Sequence, residues 1–182
     1  GDVNDDGYDD VIVGAPQYDN GEKNEGRVYV YHGSASGLSV SADWTAESNQ
    51  ANDQFGYSVA SACDVNNDGY DDVIVGAYRY DNGHTNEGRA YVYHGSASGL
   101  SAGAEWWAES DQADARFGHS VSTAGDVNGD GYLDFVFSDN SQISGGTGKF
   151  HAYFSDGMGG LATTSGWQCP RALTPQPGNR SR

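Results

Sequence analysis

Basic side chains are scarce in this chain. Nine Lys and Arg stand against 26 Asp and Glu, a formal net charge of −17 over 182 residues. That balance argues against nucleic acid and anionic membrane surfaces as direct partners and makes cations the natural ones. Long hydrophobic runs are also missing. Nothing approaches the roughly 18 apolar residues of a membrane span, so no direct membrane insertion is expected. No secretory leader is visible, because the sequence opens at Gly1 inside an acidic turn, as a processed or partial chain would. Cysteine is limited to Cys63 and Cys169, too few for a disulfide framework; two incidental thiols and a 63–169 bridge are both open readings. One methionine and few long aliphatic stretches leave little for amphipathic helices, whereas 27 glycines, 12 tyrosines and short Val/Ile/Tyr runs favour strands and tight turns.

What is abundant is aspartate, and it is not spread evenly. "DVNDDGYDD" begins at residue 2, "DVNNDGYDD" at 64 and "DVNGDGYLD" at 126, a constant period of 62. Twelve of the 26 acidic residues lie in these three stretches, so the excess charge is concentrated at three points. Residues 2–54 match 64–116 without a gap at 39 of 53 positions, a level of self-similarity that makes this a repeat architecture. The third copy is degenerate: "GAPQY" and "GAYRY" give way to "SDNSQ", and "YHGSASGLS" to "FSDGMGGLA" after a slip of one or two residues. Terminal units of arrays diverge in this way because they meet solvent or a different neighbour.

Within the second unit the pattern predicts four strands, at about 55–62, 71–77, 88–94 and 104–109. "RAYVYHG" alternates, "DVIVGA" suits a strand buried on both faces, and "YDNG" and "GSASG" supply turns. Four antiparallel strands in a unit of this length is the format of a β-propeller blade. The expected fold is therefore all-β: a blade over 1–54 lacking its first strand, a complete blade over 55–116, a degenerate one over 117–168, and a Pro/Arg-containing tail over 169–182. Trp44, Trp106, Trp107 and Trp167 are expected to fill the spaces between blades, with sugar binding as the alternative.

The acidic stretches have the pattern D-x-N-x-D-G-x-x-D. A hard dication takes six to eight oxygen ligands from a flexible loop, and side chains at positions 1, 3, 5 and 9 with the carbonyl of position 7 would supply five of them. Those groups are Asp2, Asn4, Asp6, Tyr8 and Asp10; Asp64, Asn66, Asp68, Tyr70 and Asp72; and Asp126, Asn128, Asp130, Tyr132 and Asp134. Gly7, Gly69 and Gly131 stand where the chain must bend. Position 12 is Val13, Val75 or Phe137, not the bidentate glutamate of an EF-hand, so the expected object is a calcium-stapled hairpin in a sheet, with three Ca2+ ions, one per loop. Magnesium is disfavoured by its small octahedral shell.

With Phe55-Gly56 and Phe117-Gly118 about eight residues before the loops, and Gly14-Ala15-Pro16 after the first, the chain resembles the FG-GAP repeat family, which includes the propeller of integrin α subunits and secreted or surface proteins of bacteria. The resemblance covers nearly all of residues 1–168 and implies cation-braced propeller blades, an extracellular or cell-surface setting of bacterial type, and an adhesive or scaffold role toward a protein or glycan ligand. Tyr78 departs from the GAP proline, and "SDN" replaces the motif in the third copy. A closed propeller of this kind has about seven blades, so either the chain is part of a longer propeller or blades are completed between copies of it, making a fibre or ring subunit. A third reading is an accessory domain of a secreted enzyme.

No enzyme is expected in the chain itself. His32 and His94 recur at a strand end, His119 takes the place of Tyr57, and none has a recurrent nucleophile beside it. "GSASG" at 33–37 and 95–99 lacks the central serine of a nucleophile elbow, since Ala35 and Ala97 stand there. The tail "CPRALTPQPGNRSR" leaves the repeat and carries a formal glycosylation sequon at Asn179-Arg180-Ser181.

Overall fold

The computed structural model describes residues 1–139, 150–158 and 167–168. The expected tail, the sequon and Cys169 lie outside them, as do the side chains of Phe150, Trp167 and Gln168. The described residues form three antiparallel sheets and no helix. The first sheet is β1 (Val11–Ala15), β2 (Arg27–Tyr31) and β3 (Trp44–Glu47). The second is β4 (Ser58–Cys63), β5 (Asp72–Ala77), β6 (Arg89–Tyr93) and β7 (Trp106–Glu109). The third is β8 (Ser120–Gly125), β9 (Asp134–Ser138), β10 (Phe150–Tyr153) and β11 (Trp167–Gln168). Strands neighbour each other in chain order in every sheet, so these are the blades of an incomplete propeller.

Register repeats with the sequence. Val11 pairs with Tyr31, Val73 with Tyr93, and Phe135 with Tyr153. The last pair is two residues closer in sequence, which puts the slip in the third copy between β9 and β10. Ala46, Ala108, Trp44 and Trp106 keep matching partners, and Trp167 pairs with Ala152 as Trp106 does with Val92.

Two apolar clusters hold the three sheets together. Val73, Val75 and Ala77 on one face of β5 pack with Val3, Val28 and Val30 of the first blade and with Phe55. Ile74 on the opposite face joins Val92, Phe117, Phe135 and Phe137 toward the third. Every residue of β5 is buried as a result. The same sequence in β1 is not: Val11 is 40% and Val13 44% exposed, because no sheet among the described residues lies on that side of the first blade.

The FG pair makes the seam between blades. The amide of Phe55 donates to the Glu25 carbonyl at 3.1 Å, and that of Phe117 to the Glu87 carbonyl at 2.9 Å. Such close backbone approach requires glycine opposite: a Cβ on Gly88 would lie 2.4 Å from the Phe117 nitrogen. Gly56 and Gly118 turn the chain with φ of 79° and 77°, so the first strand starts at Ser58, later than the expected residue 55.

Trp44 and Trp106 fill the inter-blade spaces as expected, edge-on to Tyr93 at 5.0 Å and Tyr153 at 5.4 Å. Trp107 does not. It is 50% exposed on the other face of β7, with the Arg89 guanidinium 4.1 Å from its ring centre, because alternation along a strand sends adjacent residues to opposite faces.

Candidate metal centre

The acidic loops run directly into β1, β5 and β9, and the three are built alike. Position 1 accepts at least twice from the loop backbone: Asp64 takes the amides of Asp68 at 3.0 Å and Gly69 at 2.9 Å, Asp2 those of Asp6 and Gly7, and Asp126 those of Asp130 and Gly131 and also of Gly129. Asn4, Asn66 and Asn128 at position 3 accept from the same position-5 amide through Oδ1. Their Nδ2 groups donate to the carboxylates of Asp6, Asp68 and Asp130. Position 5 in turn accepts from the amides of Tyr8, Tyr70 and Tyr132 at 2.9–3.0 Å. Gly7, Gly69 and Gly131 allow the bend with φ of 87°, 94° and 93°. These reciprocal bonds bring positions 1, 3 and 5 around one exposed turn.

Position 9 makes a second set of bonds, to the backbone on either side of the loop. Asp72 spends one oxygen on the Val65 amide at 2.8 Å and the other on the Gly95 amide at 2.8 Å. Asp10 bonds Val3 and Gly33, and Asp134 bonds Val127 and Ser155. This residue clasps the start of its loop to the segment just after β2, β6 or β10. Among the described residues no three Asp, Glu, His or Cys side chains form a ready ligand cluster.

Electrostatics separate the two roles. Slight burial pushes the Asp2 carboxyl up, but the amides of Gly7 and Asp6 outweigh it and hold it below the usual carboxylate value. Burial pushes the Asp72 carboxyl up to about 6, against the lowering by the Gly95 and Val65 amides. Among the described residues no Lys or Arg side chain pairs with a loop carboxylate. Exposed hard oxygens without a basic partner, on a bend closed by glycine, are a donor set that fits a divalent cation.

The loops also reach across the seams. The Asp2 amide donates to Asp71 of the next loop, the Asp71 amide to the Asp2 carbonyl, and the Ser96 amide to the Val3 carbonyl at 3.1 Å. At the second seam the Ser155 hydroxyl donates to the Val65 carbonyl at 2.9 Å. Position 2 is thus the loop's plug: Val3 and Val65 are buried in the two clusters, and Val127 is 57% exposed.

The other singled-out residues have structural settings. His32 lies 3.4 Å from the Asn4 amide. His119 packs against the rings of Tyr57 and Tyr78, where burial holds it below its usual value. Ser34 and Ser96 close their "GSASG" turns by donating to the Gly37 and Gly99 carbonyls at 2.7 Å. Sequence reasoning missed a set of carboxylates at the FG seams. Glu25, Glu87 and Asp53 are fully buried. Glu87 takes the Asn82 amide on Oε1, with His84 3.4 Å from its Oε2, whereas among the described residues both carboxylate oxygens of Glu25 and one of Asp53 have no hydrogen-bond or ion-pair partner. The signal was a glutamate repeated in "NEGR" directly before a buried strand.

The FG-GAP repeat family model matches residues 1–31, 55–93 and 117–147. Integrin alpha-7 of Homo sapiens is 34% identical over 142 residues, covering 74% of this chain and 11% of that protein. Integrin alpha-PS2 of Drosophila melanogaster is 35% identical over 174 residues, covering 91% and 12%. Integrin alpha-V of Gallus gallus is 40% identical over 87 residues, covering 44% and 8%. The chain spans about a tenth of the length of these curated relatives. All three are animal proteins, and a bacterial setting is not borne out.

Proposed function

Because the chain belongs to the FG-GAP repeat family, we propose that it is a calcium-braced section of an integrin-α-like propeller, displayed outside the cell as an adhesion or scaffold module toward a protein or glycan ligand. The observation that carries this reading is the threefold repetition of one loop geometry, with Asp2, Asp64 and Asp126 each curling their loop around the same two amides. Asp, Asn and Asp at positions 1, 3 and 5, with the carbonyls of Tyr8, Tyr70 and Tyr132, would hold one calcium ion per loop. Position 9 acts behind them, holding the loop to the sheet and contributing to the ion through water, as that position often does.

Bound calcium neutralises the crowded carboxylates. The residues do the rest. Holding the turn closed fixes Val3 and Val65 in the inter-blade clusters and keeps their carbonyls in reach of Ser96 and Ser155. Calcium is thereby linked to blade stacking, and stacking to a rigid surface for a partner. No helix among the described residues is long and apolar enough to cross a membrane, and millimolar extracellular calcium suits sites of modest affinity. Calorimetric titration of the wild-type chain and Asp68→Ala tests the reading: the variant should bind one ion fewer and melt earlier. Equal melting of both at saturating calcium would contradict the link.

A further inference from the structure

The two FG seams share one backbone pattern but differ in their acids. At the first, the Asn52, Gln54 and Phe55 amides donate to the carbonyls of Lys23, Asn24 and Glu25 at 2.7–3.1 Å. At the second, Asp114, Arg116 and Phe117 make the same bonds to Thr85, Asn86 and Glu87. Asp53 stands at the first seam where Ala115 stands at the second. Its Oδ1 accepts the Phe55 amide at 2.9 Å and the Ser48 hydroxyl, turned to the Glu25 carbonyl, lies near the carboxylate, while among the described residues its Oδ2 and both oxygens of Glu25 are buried without a well-formed hydrogen bond.

Among the described residues, none brings a free positive charge to Asp53. Glu25 before β2, Asp81 after β5, and the Tyr91 and Tyr93 rings of β6 face it, with the Ser48 hydroxyl at hand. Arg27 is engaged by Tyr18 and Glu47, Arg89 by Glu109, and Arg79 lies over the Tyr78 ring. His84 lies against Glu87, and Lys23 is exposed. A buried carboxylate that is neither paired nor fully hydrogen-bonded is costly, and a proton is the neutralising partner that needs no added space.

We propose that the first inter-blade seam is a pH-sensitive clasp, closed while Asp53 is protonated beside Glu25 and loosened when Asp53 ionises in those buried acidic surroundings. Burial above all, with Glu25 and Asp81 adding to it, raises Asp53 from 3.8 to about 7. The sign follows from a folded value above the unfolded one: the contribution is complete below about pH 4 and is lost as pH rises through about 7. The second seam, with alanine in that place, lacks the device.

Amide hydrogen exchange, corrected for intrinsic rate, tests this at saturating calcium between pH 5 and 8.5. Protection at Phe55 should fall relative to Phe117 by up to about tenfold per pH unit from pH 5 to about 7, and level off above it. Asp53→Asn should abolish the difference. Asp53→Ala, which copies the second seam, is the reserve variant should the amide disturb folding. Parallel pH dependence at the two amides would overturn the clasp, as would a dependence that survives in both variants. A wild-type difference set by calcium concentration and not by pH would also overturn it, by assigning a metal ion to Glu25 and Asp53.

Discussion

Glycine does different work at different places in the repeat, and single substitutions separate the kinds. Gly69 has φ of 94° and open space around it, so Gly69→Ala meets backbone strain alone, of about 1 kcal/mol. Gly88 combines φ of 78° with Phe117 backbone atoms where the methyl would go. Gly88→Ala should therefore cost clearly more, and urea unfolding of the two variants side by side measures the difference. Aspartates divide similarly. The turn that gathers positions 1, 3 and 5 was legible from the spacing of oxygen-bearing residues around a glycine. Position 9 was only half legible, because its clasp to Gly33, Gly95 or Ser155 joins residues about 20 apart that no local pattern connects. The buried acids at the seams were illegible for the same reason: whether a carboxylate in a polar stretch is buried depends on the neighbouring blade.

Among the elements, the strands were the most readable part of the chain. β5 and β6 lie within a residue of where alternation and the apolar run put them, since both faces of a central strand must be covered by apolar groups. The first strand of the blade was less so. "FGYSVASA" looks continuous, yet its Phe-Gly pair is spent on the seam, and pairing begins only at Ser58. Tryptophan was half legible: recurrence marked Trp44 and Trp106, but a second tryptophan beside Trp106 had to face the other way. Packing at the seam sets the element-scale prediction. Phe117 is fully buried among Phe137, Tyr153 and His151, so Phe117→Ala should lower unfolding stability by about 3–5 kcal/mol. Val127→Ala, at an exposed position 2, should stay within about 0.5 kcal/mol. Chemical denaturation at fixed calcium reads both.

At the scale of the whole molecule, the three loops should not be equal. Loops one and two plug the seams through Val3 and Val65, and the third presents Val127 to solvent. Asp68→Ala and Asp130→Ala should each remove one ion, yet only the former should markedly loosen the stack. A site held at a hundredfold excess over its Kd contributes about 2.7 kcal/mol, or about 5–10 °C of Tm in a chain of this size. Chelation should shift the melt by that order for each seam-coupled loop and raise exchange at the Asp71 and Ser96 amides, which cross the first seam. A melt indifferent to chelator, with unchanged exchange at those amides, would separate the loops from the stacking.

Each seam is made half from the trailing edge of one repeat and half from the leading edge of the next, and the two seams reuse the same backbone bonds one period apart. Any 62-residue window therefore carries one complete set of both halves, wherever it is cut. A tandem duplication or unequal crossover in the coding DNA that gains or loses one period would join a familiar trailing edge to a familiar leading edge. The lineage can thus change blade number in whole steps without inventing a new interface.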